Sequence, residues 1–169
     1  MSLLSNSTGE FVVVKKGETE TTTYTDYNDI PSEVDAVVSF QGYVPPAPHS
    51  INEHQEITEL YAAFNALLDS AGTPPVTRIG DADVPHCSGM VRAEGSPNVF
   101  INGIPQSRQG DINTPHLRPG GDDCIIHTAP ITTGSTTVFI NGVGCGRVGD
   151  AISGCTQVAA GSPNVFAGD

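Results

Sequence analysis

One segment of this chain occurs three times, and that recurrence constrains its fold more than any other feature. Gly95-Ser96-Pro97-Asn98-Val99-Phe100-Ile101-Asn102-Gly103 returns as Gly134-Ser135-Thr136-Thr137-Val138-Phe139-Ile140-Asn141-Gly142. It returns again, shortened, as Gly161-Ser162-Pro163-Asn164-Val165-Phe166-Ala167-Gly168. A second element alternates with it: Arg78-Ile79-Gly80-Asp81, Arg108-Gln109-Gly110-Asp111 and Arg147-Val148-Gly149-Asp150. A single unit of this size has too little apolar surface to fold alone, so the copies must complete one another. Three copies, entered part-way through a unit, imply closure around a pseudo-threefold axis.

Each unit reads as β structure. Asn-Gly between two extended runs is a strong hairpin signal, because a type I′ turn needs positive φ at both central residues. Val-Phe-Ile before it makes a short strand, and Gly-Ser-Pro or Gly-Ser-Thr makes the preceding turn. The expected shared core is thin: Val99, Phe100, Val138, Phe139, Val165 and Phe166. Only 37% of the chain is hydrophobic and Trp is absent, so packing alone is a weak source of stability and a small domain needs another staple.

The repeat register supplies one. Six residues beyond the corner glycines Gly80, Gly110 and Gly149 stand His86, His116 and Cys155. The offset holds although the glycines are 30 and then 39 residues apart, and the extra nine residues carry His127. His86, His116, His127 and Cys155 are all strong zinc ligand types, and four protein ligands close a tetrahedral shell against water and substrate. Such a structural site contributes on the order of 10 kcal/mol to folding. Iron is compatible with the same donors. Spacing alone leaves open whether Cys87 or Cys124 replaces one of the four. Otherwise Cys87, Cys124 and Cys145 are expected as small buried residues, since a metal-bound Cys155 leaves an odd number for disulfides. His49 and His54 lie outside the repeats and are expected as ordinary surface or satisfied residues.

Three zones follow: residues 1–49, an extension with possible strands at 11–14, 21–27 and 36–40 and a Pro-rich linker; residues 50–77, a helix and linker; and residues 78–169, the repeat region, which holds fifteen of the nineteen glycines. The helix is expected from Ser50, which forms a capping box with Glu53, to Gly72. Its apolar stripe is Ile57, Leu60, Tyr61, Phe64, Leu67 and Leu68, which must bury against the strands of the extension, a second copy of the chain or a partner protein. Residues 1–77 carry two basic and eleven acidic residues, a net of −9; residues 78–169 carry five and eight, a net of −3. With seven Lys+Arg against nineteen acids, no basic stripe for nucleic acid can form. No apolar run is long enough to span a bilayer. Met1–Glu10 lacks a basic and an apolar stretch, so no secretory signal peptide is expected.

The motifs Gly-Asp-x-x-x-x-His, Gly-Ser-Pro-x-Val-x-x-Asn-Gly and Arg-x-Gly-Asp resemble those of PAAR-repeat proteins over residues 78–169. Where that family has Pro-Ala-Ala-Arg, this chain has Ile104-Pro105-Gln106-Ser107-Arg108 and Val143-Gly144-Cys145-Gly146-Arg147, each keeping the arginine but not the Ala-Ala. The resemblance implies a mainly β, pseudo-threefold cone with a zinc near its apex. Its ligands would be three His and one Cys, which favours His127 over Cys124. It also implies a partner, the end of a trimeric β-helical spike (a phage central spike or its VgrG-type counterpart), to be bound by the cone base, for which Val99, Val138 and Val165 are candidates. The implied role is a structural spike tip in a contractile phage tail, part of the virion baseplate, touching the target membrane only during piercing. The alternative is a type VI secretion tip or adaptor, secreted by the injection machinery, carrying effectors through its N-terminal extension. Residues 1–77 are read as contacts to other baseplate parts, and no toxin domain is expected beyond Asp169. A metalloenzyme would need an open coordination position and a base such as Glu94, and a plain disulfide-bonded module would need paired thiols. A non-enzymatic part is the expectation.

Overall fold

The computed structural model describes residues 6–121 and 123–168; Met1–Ser5 of the segment read for a leader, and Asp169, lie outside the described residues. The chain opens with β1 (Thr8–Lys15), β2 (Thr21–Asp26) and β3 (Val34–Gly42), an antiparallel sheet in the order β2-β1-β3. A single 20-residue helix, α1 (Ile51–Ser70), follows. Ser50 caps it through the expected box: its hydroxyl accepts from Glu53 N–H, and Glu53 accepts from Ser50 N–H at 2.6 Å.

The helix stripe serves two masters. Ile57, Leu60, Ala63, Phe64 and Leu67 are buried, and most of this face packs on Phe11, Val37 and Phe40 of the sheet, the first of the three alternatives. The same cluster also takes in Val84, Val148 and Ala159 from the repeats. The sheet joins the repeats through its backbone too. The free edge of β3 is covered by residues 159–161, with Phe40 N–H donating to Ala159 O and Gly161 N–H to Val38 O, each at 2.8 Å. An edge that would otherwise present unpaired groups is thus closed.

The repeats form three hairpins. The first is β4 (Phe100–Ile101) with β5 (Ile104–Pro105). Next in sequence comes a longer hairpin, β6 (His116–Gly120) with β7 (Asp123–His127), and then β8 (Phe139–Ile140) with β9 (Val143–Gly144). The turn residues Asn102 and Gly103 have φ of 53° and 79°, and Asn141 and Gly142 have 53° and 82°, as type I′ turns require. The third repeat borrows its partner from the start of the region: Phe166 bridges Pro75, and Val76 N–H donates to Val165 O at 3.0 Å. Closure of the ring by its own two ends explains why the chain enters a unit part-way through.

A closed triad of main-chain hydrogen bonds marks the axis. Ser107 N–H donates to Thr77 O at 3.0 Å, Thr77 N–H to Gly146 O at 2.9 Å, and Gly146 N–H to Ser107 O at 3.1 Å. Each of these residues precedes a repeat arginine. That arginine and the corner aspartate pair with N–O distances of 3.0, 3.0 and 3.1 Å at Arg78–Asp81, Arg108–Asp111 and Arg147–Asp150. Each aspartate also accepts the arginine's own N–H. The glycine that opens each turn is set by close approach. A Cβ at Gly95 or Gly161 would lie 2.8 Å from Gln106 O or 2.6 Å from Val76 O, nearer than real side chains approach.

Of the six residues expected as the shared core of the repeats, Val165 packs against the buried cluster of Val76, Cys145 and Ala167; the phenylalanines do not form a core. Phe100, Phe139 and Phe166 are 54%, 60% and 41% exposed, and Val99, Val138 and Val165 are only half-buried or exposed. The reason is strand alternation: successive residues point to opposite faces, so Ile101, Ile140 and Ala167 turn inward onto Val76 and Cys145 and the phenylalanines turn out. Polar side chains take much of the buried space in the repeats instead, among them Thr77, Ser96, Gln106, Ser107, Ser135 and Ser162.

A buried ion pair ties the first two units together. Arg92 and Asp83, 0% and 1% exposed, meet at 3.0 Å. Asn113 Nδ2 donates to the same carboxylate at 3.0 Å, and Arg92 Nη2 donates to Asp111 O at 2.7 Å. Burial pushes the Asp83 carboxyl up to about 6, against the pull of Arg92 and Asn113. Substituting Arg92 by leucine strands a carboxylate in the interior, and a loss of about 3–5 kcal/mol in urea unfolding is expected. Adding Asp83→Asn should recover part of it.

Candidate metal centre

The three side chains at the repeat offset, His86, His116 and Cys155, and the His127 of the longer second unit meet at one point. His86 and Cys155 lie in loops, Cys155 in a turn closed by its N–H on Ile152 O at 3.0 Å. His116 opens β6 and His127 ends β7, where they are cross-strand partners. The nine-residue excess of the second unit is this hairpin, and it delivers two imidazoles to one face.

Cys155 Sγ lies 3.1, 3.3 and 3.6 Å from the Nε2 atoms of His86, His116 and His127. All four donor atoms lie within 4.8 Å of one another, so the cluster can hold a metal ion. In a tetrahedral zinc shell the N···S edges are about 3.5 Å, from bond lengths of about 2.0–2.1 and 2.3 Å. The donor set and spacing therefore fit such an ion. His116 is oriented for the purpose: its Nδ1–H donates to Thr114 O at 2.9 Å, which leaves Nε2 as the lone pair facing the sulfur. At His86 the Cys87 N–H lies 3.1 Å from Nδ1, so a ring that offers Nε2 to a cation exchanges this contact for a donor role. Glu94 is spent elsewhere, accepting Ile112 N–H at 3.1 Å.

The electrostatics favour neutral imidazoles. Burial, then the neighbouring His116, holds His86 down to about 4. Burial also lowers His116 and, with His116 beside it, His127. Burial pushes the Cys155 thiol up to about 12, a cost that a bound cation would offset by stabilising the thiolate. For a His whose folded pKa is depressed, the unfolded chain binds the extra proton, so stability is full above about 6.5 and lost as pH falls. Thermal midpoints should be flat from about pH 6.5 to 8 and fall between about pH 6.5 and 4, where three depressed imidazoles outweigh the one raised carboxyl of Asp83; in alkali they should fall again, because the buried Cys145 thiol is raised. Midpoints unchanged across the acid window would contradict the arrangement.

Two of the remaining thiols correct the sequence reading. Cys87 and Cys124 form a disulfide across 37 residues rather than serving as separate buried thiols, and neither replaces a member of the cluster. Their neighbours were the signal. Cys87 follows His86, and Cys124 lies three residues before His127, so bringing those imidazoles together brings the sulfurs together. Cys145 is buried and free, as expected, and burial pushes it up to about 11. His49 is not an ordinary surface residue: its side chain stands within 4.8 Å of Cys87 and Cys124, donor atom to donor atom.

The family model described as PAAR motif matches residues 121–169. The match takes in His127, Cys155, the Asn141-Gly142 turn and the Arg147–Asp150 corner. Among curated proteins none matches the chain. No helix of the described residues is long and apolar enough to cross a membrane.

Proposed function

From the premise that this chain is a PAAR-repeat protein, we propose that it is the structural tip of a contractile-tail spike, capping a trimeric β-helical shaft and leading it through the target envelope. The observation that carries this reading is the outward ring of Phe100, Phe139 and Phe166, three equivalent side chains at 54%, 60% and 41% exposure. Their hairpins are clamped to one another. Ser96 Oγ donates to Asn141 Oδ1 at 2.6 Å and Ser162 Oγ to Asn102 Oδ1 at 2.7 Å, while Ser135 Oγ donates to Gly168 O at 2.8 Å. Exposed apolar groups so placed mark an interaction surface, and a single chain with pseudo-threefold symmetry is the shape that can close a true trimer one-to-three.

In this reading His86, His116, His127 and Cys155 are the ligands of a structural zinc. Its work is mechanical: it joins loops from all three units, so local unfolding under load must break coordination as well as packing. No catalytic role is proposed. In the same reading the zones are 1–49, 50–77 and 78–169, and residues 1–77, apart from Pro75–Thr77 which complete the ring, serve as a bracket built onto the tip and facing neighbouring parts of the machine. A phage baseplate is the preferred setting.

The test is co-purification of the full chain with a trimeric β-helical spike from the same genome. One chain per trimer, by light scattering, is the expected result. Separate elution at micromolar concentrations would reject the reading.

A further inference from the structure

A second group of metal-binding side chains stands beside the first. His49, just before α1, comes close to Cys87 in the loop after His86 and Cys124 in β7, with the three donor atoms within 4.8 Å of one another. His49 Nε2 lies 2.7 Å from Pro45 O. A carbonyl only accepts, so Nε2 carries the proton and Nδ1 holds the lone pair. That Nδ1 is shielded from solvent and has no hydrogen-bond partner. A buried acceptor left unsatisfied is destabilising, so the position suits a group that meets it. With the disulfide closed, nothing does.

We propose that Cys87, Cys124 and His49 form a redox-alternative staple: a disulfide under oxidising conditions, and a zinc site of two thiolates and one imidazole under reducing ones. The Cα–Cα separation of 6.1 Å suits both states, since two sulfurs on one zinc stand about 3.8 Å apart. The switch needs a dithiol reductant. Its thiolate attacks Cys124, the more exposed sulfur, and the protein S–S bond breaks. Closure of the reductant's own disulfide then releases the second protein thiol. The protein gains two electrons and two protons, and the reductant loses them. Zinc then binds both sulfurs, whose protons pass to solvent, and takes the His49 lone pair. A fourth position is left for water or for His54, whose ring centroid is 5.3 Å from that of His49.

The consequence is that the staple is never absent. In a reducing cytoplasm the ion holds the β6–β7 hairpin to the Cys87 loop and also ties down the start of α1. In an oxidising compartment the disulfide keeps the first of these links and frees His49. None of this depends on the chain being a spike tip.

The experiment uses the full chain with zinc and cobalt(II) as probes, oxidised or reduced by a phosphine under anaerobic conditions. Elemental analysis should give one zinc per oxidised chain and two per reduced chain. Thiolate-to-cobalt absorption in the near ultraviolet should rise about threefold on reduction, from one sulfur to three. His49→Ala should weaken the second site by on the order of tenfold or more, a scale that loss of even an outer-sphere partner reaches, and leave the first untouched. Cys155→Ser should keep the second site, which separates it from the first. A reduced chain that still binds one zinc would overturn the proposal. So would a second zinc that persists in the Cys87→Ser, Cys124→Ser double variant, or an affinity that His49→Ala does not move. If the double variant fails to fold, the cobalt titrations of the wild type and His49→Ala decide alone.

Discussion

Replacing Cys155 by serine, or His116 by alanine, should lower the stability of the chain by more than about 4 kcal/mol, the range reserved for lost metals, disulfides and buried networks. For a chain of this length that is about 10–15 °C in thermal midpoint. The argument is that the apolar packing confined to the repeats comes in small clusters, such as Ala129, Ile131, Ile152 and Val158, while Thr77, Ser107 and Gln106 are buried where the phenylalanines are exposed. Hydrogen bonds there are worth only about 1 kcal/mol each net. A strong chelator should produce a shift of similar size in the wild type and almost none in either variant. Unfolding curves that chelator leaves unchanged, with both variants near wild type, would remove the metal from the account of this fold. Helix and sheet should report the loss as well, because Val84 and Ala159 place the repeats in the same cluster as Phe64 and Phe40.

The second large effect concerns binding. Converting Phe100, Phe139 and Phe166 together to serine should weaken capture of the trimeric spike by about 10⁴-fold or more. Aromatic side chains at the centre of an interface each carry about 2 kcal/mol or more, and every 1.4 kcal/mol is tenfold. Single changes should cost about 30-fold. Folding should respond far less, by about 0.5 kcal/mol per substitution, because these rings are about half exposed. The contrast between intact stability and lost binding is the readout. Equal spike affinity in the triple variant would move the docking surface elsewhere.

These two predictions draw on different parts of the molecule, and the sequence was unequally informative about them. The equal offset from Gly80, Gly110 and Gly149 placed His86, His116 and Cys155 in corresponding positions. Residues at one register of a closed ring must face one point. Asn-Gly likewise announced its own turn, because few other residues reach φ near 53° without strain. Ser50, Glu53 and the apolar spacing specified the helix, since capping and periodicity are local properties.

What faces outward was a different matter. Val99-Phe100-Ile101 reads as three apolar residues in a row, and only the pleat of a two-residue strand says that the middle one points to solvent. Sequence could not choose between a core of phenylalanines and a ring of them. Pairing across distance was equally hidden. Cys87 with Cys124, Asp83 with Arg92, and the triad of Thr77, Ser107 and Gly146 depend on where the ring closes. That is settled by Val76 meeting Val165 at the two ends of the repeat region. The repeat by itself determined that the chain folds as three equivalent arms and which side chains those arms carry to a common centre, because register is written in local spacing. Only the tertiary structure decided which apolar residues were left for a partner and which thiols met, because those depend on the facing of strands and the closure of a ring whose halves lie far apart in sequence.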